Sequence, residues 1–240
     1  MDGDLCFVTY PKVNIFLKIT GTRNEYHTLL SRFMLVKEIH DTLTFREGNA
    51  TEKFAIQGAF DSPLESNTLY KATQLLQEHI HSQEIESFIR THTLHVDKKV
   101  PTFAGLGGGS SNAAGLLHFY NTTFSLGLTL QELTSIGIKL GADLPFFLSQ
   151  CESANVSGIG EIVEPFEEKG LPLSLHPTPI ECRTPDVYRM FRKNFMDTID
   201  LVSAQHFSSL PSEALLKGYP PHLLNDLYNP ACALYPELTN

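Results

Sequence analysis

The run from Pro101 to Gly115 constrains the chain more than any other segment: Pro-Thr-Phe-Ala-Gly-Leu-Gly-Gly-Gly-Ser-Ser-Asn-Ala-Ala-Gly. Gly105, Gly107, Gly108 and Gly109 come just before two hydroxyls and a small-residue stretch that can begin a helix. Glycine accepts positive φ and lets a ligand approach the backbone, so such a loop turns several N–H groups toward one point. A helix from about Ser111 through Leu116, Leu117 and Tyr120 adds the positive end of its dipole there. Together they form an anion cradle, whose usual occupant is a nucleotide phosphate. The bland alternative is a flexible linker. Two standard phosphate loops are excluded, because no Gly-Lys-Ser/Thr ends the run and Ser110 stands where a dinucleotide fingerprint needs glycine.

Composition narrows the partners. The 240 residues carry 18 basic and 27 acidic side chains, a net −9 that disfavours nucleic acid and anionic membranes. Any basic pocket must then be built from few residues, such as Lys12, Lys18, Arg23, Lys98 and Lys99. The amino terminus is acidic and lacks a secretory apolar core, and no run approaches the roughly 18–20 apolar residues that span a bilayer. Cys6, Cys151, Cys182 and Cys232 are far apart, with no CxxC pair; they read as buried free thiols rather than disulfides or a zinc site. A cytoplasmic chain is expected.

The pattern along the chain is mixed. Phe7 to Ile19 reads as one extended segment ending at Thr20-Gly21, with Val13, Ile15, Leu17 and Ile19 on one face and Lys12, Asn14 and Lys18 on the other. Strand-like runs follow at 33–39, 42–45, 51–58, 92–96 and 156–163. Helical stripes run from Asn67 to about His81 and from Leu130 to Leu140, the second capped by Thr129 and closed by Gly141. Beyond Pro165 prolines interrupt the pattern, and short helices are expected near 186–195, 199–207 and 212–217. This alternation points to an α+β fold, with a boundary near 155–165.

Three segments occur in order: Tyr10-Pro-Lys-Val-Asn-Ile-Phe-Leu-Lys-Ile19, the glycine-rich loop, and Leu140-Gly-Ala-Asp-Leu-Pro-Phe-Phe147. In this order they resemble the GHMP family of small-molecule kinases, and Tyr26-His27 resembles the branch acting on a cytidine-diphosphate methylerythritol in isoprenoid precursor synthesis. The resemblance implies a two-domain fold: a ribosomal-S5-domain-2-like α/β domain over residues 1–160 and a smaller α+β domain over 161–240. It further implies ATP and Mg2+ as cofactors, a small-molecule substrate phosphorylated at its 2-hydroxyl, and a monomer or weak homodimer. A homoserine- or sugar-type kinase, or an inactive nucleotide-binding form, is the alternative.

Residue by residue, the resemblance makes Asp143 the general base and Lys12 its cationic neighbour. Taken alone, Asp143 reads first as a helix cap and Lys12 as a solvated strand lysine, and the match to the motifs reverses the order for Asp143. ATP would lie on Pro101, Thr102, Phe103, Ala104, Gly105, Leu106, Gly107, Gly108, Gly109, Ser110 and Ser111, with Asn67 and Lys98 lining its pocket and Ser111 a candidate magnesium contact. Asn14, Tyr26, His27, Thr184, Pro185 and Tyr188 would hold the cytidine end. Tyr26-His27 is otherwise a surface pair, and Tyr188, at helical spacing from Phe191, is otherwise core. There are three departures from the pattern. Asn24-Glu25-Tyr26 has no glycine, Tyr10-Pro11-Lys12 has no alanine before its lysine, and the family's third glycine-rich motif is absent. Either a shortened form, or a chain whose last strands and loop are missing, is therefore expected.

Overall fold

The computed structural model describes residues 5–48, 54–60, 63–102, 104–176 and 180–239. In it, the extended run expected from Phe7 to Ile19 breaks at Tyr10-Pro11 into two strands of different sheets, β1 (Cys6–Thr9) and β2 (Lys12–Arg23). Pro11 is suited to the break, since it has no N–H for a ladder and a fixed φ. The chain sorts into two units that interleave along the sequence, one of residues 1–11, 39–100 and 107–150, the other of 12–38, 101–106 and 151–240. The expected division at 160/161 falls within the second unit.

In the first unit, β1 pairs antiparallel with β4 (Asp41–Glu47), and β4 with β6 (His92–Asp97). β5 (Ala55–Gly58) lies parallel to β6 and is connected to it by α1 (Thr68–Ile80) and α2 (Gln83–Thr91), a helical crossover. Leu43, Phe45, Leu69, Ala72, Leu76, Leu94, Leu116, Leu117 and Tyr120 are buried here. The Phe45 ring meets those of Phe88 at 4.8 Å and Phe119 at 4.9 Å. The sequence reading missed α2, a helix of only nine residues, although Ile85, Phe88 and Ile89 stand at i, i+3 and i+4. Its Ser82 cap, accepting from the Ile85 N–H at 3.3 Å, was a second available signal. Three further helices are α3 (Gly108–Thr123), α4 (Leu130–Gly137) and α5 (Leu144–Leu148). Thr129 and Glu132 cap α4 reciprocally, and the helix ends at Gly137, three residues earlier than expected.

The second unit is built on an antiparallel sheet in the order β2-β3-β7-β8, with β3 at Tyr26–Leu35, β7 at Ser153–Gly158 and β8 at Ile162–Pro165. The single strand expected over 156–163 is thus a hairpin. β2 does not stop at Thr20-Gly21 but runs on to Arg23 through a register shift at Ile19/Gly21. Asn24, with φ 57°, takes the left-handed position in the hairpin turn that lacks glycine; asparagine is among the residues that tolerate it. The helices are α6 (Thr184–Asn194), α7 (Leu201–Ser209), α8 (Ser212–Gly218), α9 (Pro221–Leu224) and α10 (Tyr228–Leu234). Ile15, Phe16 and Met34 of the sheet pack with Phe207, Leu215 and Leu224 of the helices. Lys18, expected on a polar face, is buried against Asp226, which also accepts from the Ile19 N–H at 2.7 Å.

Candidate active site

The glycine-rich loop delivers Gly107 to the N-cap of α3 in a left-handed conformation, φ 69° and ψ 19°. No side chain caps this helix, so the N–H groups of its first turn are left for another acceptor. The helix begins at Gly108, not at Ser111 as expected, which places Ser110 and Ser111 inside its first turn. Ser111 is buried and its hydroxyl donates to the Tyr10 carbonyl at 2.6 Å. Pro101 is half-buried, Thr102, Ala104 and Gly105 are exposed, and Leu106 is buried. Phe103 lies outside the described residues.

Asp143 occupies the N-cap position of α5 but makes no capping bond. It is carried by a helix whose residues Leu144, Pro145, Phe146, Phe147 and Leu148 are all buried, so the apolar segment anchors the half-buried carboxylate. A methyl group added at Gly107 would lie 3.2 Å from Asp143 Oδ2 and 3.0 Å from the Phe147 ring. A carboxylate and a helix start without a side-chain cap therefore meet at one glycine. Asn67 N-caps α1, its Oδ1 accepting from the Leu69 N–H at 2.9 Å, and it is 7% exposed. The Lys98 ammonium lies 3.5 Å from the Cβ position of Gly108 and pairs with Asp41 at 2.5 Å. Asp41 was not a sequence candidate, because an acid opening a strand carries no motif.

In the second unit, Lys12 is 5% exposed rather than solvated. Its N–H donates to the Leu106 carbonyl at 2.9 Å, which ties it to the residue preceding Gly107 in the chain. Its ammonium donates to Asn14 Oδ1 at 2.8 Å and lies 4.4 Å from the Phe33 ring centroid. Asn14 in turn donates to Ser31 Oγ at 2.9 Å. Asn14 thus stands with Lys12, six residues along β3 from His27, roughly 20 Å at the rise of a strand.

The hairpin end of this sheet holds the other candidates. His27 packs against Tyr188 at 5.2 Å between ring centroids and edge-on to Phe191 at 5.8 Å. His27 Nε2 is buried and has no hydrogen-bond partner. Burial first, and then the Arg192 charge, lower the His27 pKa from its usual 6.5, which favours the neutral ring. Tyr26 is 64% exposed, Tyr188 half-buried, and Thr184 and Pro185 exposed in the first turn of α6. A tilted ring pair with an unsatisfied polar atom suits a flat heterocycle with a hydrogen-bonding edge.

The model of the GHMP kinases N terminal domain matches residues 67–150, the span that holds α1, the glycine-rich loop, α3 and Asp143. A 4-diphosphocytidyl-2-C-methyl-D-erythritol kinase of Sulfurimonas denitrificans is 42% identical over 96% of this chain and 88% of its own length. The chain belongs to this family of GHMP kinases. A protein of the same name from Sulfurovum sp. (strain NBC37-1) is 43% identical over 95% of this chain and 89% of its own. A crystal structure of 4-(cytidine 5'-diphospho)-2C-methyl-D-erythritol kinase aligns with a TM-score of 0.71 and 28% identity, over 98% of this chain and 80% of that one. Among the described residues no helix is long and apolar enough to cross a membrane, and no cluster of three or more His, Cys, Asp or Glu could hold a metal ion.

Proposed function

We propose that the chain transfers the γ-phosphoryl group of ATP to the 2-hydroxyl of 4-diphosphocytidyl-2-C-methyl-D-erythritol. The observation that carries the mechanism is the approach of the Asp143 carboxylate to Gly107, at the uncapped start of α3. The phosphates take the N–H groups of Gly108, Gly109 and Ser110, where the helix dipole and orphan donors favour negative charge. Asp143 accepts the proton of the acceptor hydroxyl as its oxygen bonds to the γ-phosphorus and the bond to the β–γ bridging oxygen breaks. Lys12, fixed by Asn14 and by its backbone bond to Leu106, supplies positive charge for the transferring group.

Mg2+ bound with ATP would supply charge neutralisation at the phosphates, and the Ser111 oxygen and the Asp143 carboxylate would be this chain's candidate contacts to it. His27 and Tyr188 hold the cytosine, with Nε2 on its polar edge and Tyr26 folding over the exposed side. Thr184 and Pro185, which open α6, set the rim, and Asn14 orients the erythritol end. The distance between Asn14 and His27 along the sheet suits a long, extended substrate. The four cysteines form no disulfide, Cys6 being exposed and Cys151, Cys182 and Cys232 half-buried rather than buried; this fits a reducing cytoplasm, where the enzyme works as a monomer or weak homodimer.

The test is ADP release from Mg-ATP with and without the cytidine substrate, for the parent and Asp143→Asn. Substrate-dependent ADP is expected, with kcat falling about 10²–10⁴-fold in the variant, the range for a general base. A variant within a few-fold of the parent would overturn the role of Asp143. Turnover of homoserine or a sugar, without protection by CDP, would overturn the substrate.

A further inference from the structure

A lysine is poorly placed for folding at a helix N-terminus, where the dipole already presents positive charge. Lys98 nevertheless holds its ammonium 3.5 Å from the Cβ position of Gly108, the first residue of α3. Asp41 accounts for this. Its side chain is fully buried, and Oδ2 accepts from Lys98 Nζ at 2.5 Å. Oδ1 accepts from the N–H groups of Lys99 at 2.7 Å and Val100 at 2.9 Å. One oxygen therefore fixes the ammonium, and the other fixes the chain as it leaves β6 for the glycine-rich loop. Lysine has three N–H donors, so the bond to Asp41 leaves others for an anion. The lysine side chain is 11% exposed, and a flexible four-carbon stem is thereby held in one geometry before any ligand arrives.

We propose that Asp41 is a positioning residue for nucleotide binding, which holds Lys98 at the start of α3 so that ATP meets a fixed cation. Asp41 does not touch the nucleotide and acts through Lys98. The inference rests on the assignment of Lys98 and the glycine-rich loop to the ATP site. Asn is the informative replacement for Asp41, since its amide oxygen still accepts the two backbone N–H groups while the charge is lost.

The experiment is a double-mutant cycle of Asp41→Asn and Lys98→Met, read as KM for ATP and KM for the cytidine substrate. Each single change is expected to raise KM for ATP about tenfold, the scale of one hydrogen bond to a charged group, with KM for the cytidine substrate within twofold. The double variant is expected to match Lys98→Met, because Asp41 has nothing left to position. If Lys98→Met leaves KM for ATP unchanged, the ATP-site assignment of Lys98 fails and the proposal falls with it. If Lys98→Met raises it and Asp41→Asn does not, only the positioning role fails. Multiplicative effects, or equal rises in both KM values, likewise overturn it as a purely structural effect. Should Asp41→Asn alone not fold, the double variant against Lys98→Met still decides. A further rise above threefold in KM for ATP between those two refutes the proposal, and equality supports it.

Discussion

Gly107 has two reasons to be glycine, its φ of 69° and the neighbours that a Cβ would press on, Phe147 and Asp143. The first reason is local and legible in a glycine-rich run; the second depends on a helix more than thirty residues further along and is not. His27 shows the same split. Its place beside Tyr26 reads as a turn pair, whereas its burial against Tyr188 and Phe191 comes from α6. Because its folded pKa lies below the unfolded 6.5, the neutral ring contributes stability that is fully present above pH 6.5 and is lost as pH falls through the lowered value. His27→Phe keeps an aromatic ring and removes the titration. Thermal melts from pH 7.5 to 5 should therefore show the parent losing Tm relative to the variant below pH 6.5. Parallel curves would mean that the imidazole is not held neutral.

At the scale of elements, Arg32 joins β3 to β7, to α8 and to the chain between α7 and α8. It is completely buried, bonded to Asn155 at 2.8 Å, the Ser208 carbonyl at 2.8 Å and Glu168 at 3.2 Å, with Phe166 under its guanidinium at 3.3 Å. Burial works against ionised Glu168, but hydrogen bonds from Ser212 and Ser153, with the Arg32 charge, hold its carboxyl below the usual range. Removing one partner of such a pair leaves an uncompensated buried charge. Glu168→Gln is expected to cost about 3–5 kcal/mol by urea denaturation. Arg32→Met with Glu168→Leu should cost less than the sum of the single changes, as the buried charge leaves entirely. Additivity within about 0.5 kcal/mol would exclude the coupling. In the sequence Arg32 is one residue in a strand, with nothing to mark it as a junction. By contrast Thr129 as the cap of α4 and the helices α6, α7 and α8 were legible, because capping and proline effects act within a few residues, whereas the short α9 and α10 were not.

At the scale of the molecule, both units take their chain from separated segments, so neither is complete in one continuous piece. A fragment of residues 1–160 keeps Ile15, Phe16 and Met34 but loses Phe207, Leu215 and Leu224, which cover them. It is expected to bind a hydrophobic dye and to lack a cooperative urea transition for that sheet. A cooperative transition with native far-UV dichroism and no dye binding would contradict this. The glycine-rich loop, the Gly-Ala-Asp motif and most helices and strands are legible from neighbouring residues, since backbone freedom, capping and apolar spacing act locally. That Pro11 separates two sheets, that Lys12 and Lys18 are buried, that Asp41 holds Lys98, and that His27 meets Tyr188 emerges with the folded chain alone. Register, burial and ion pairing are set by partners far away in the chain, and no local pattern carries that information.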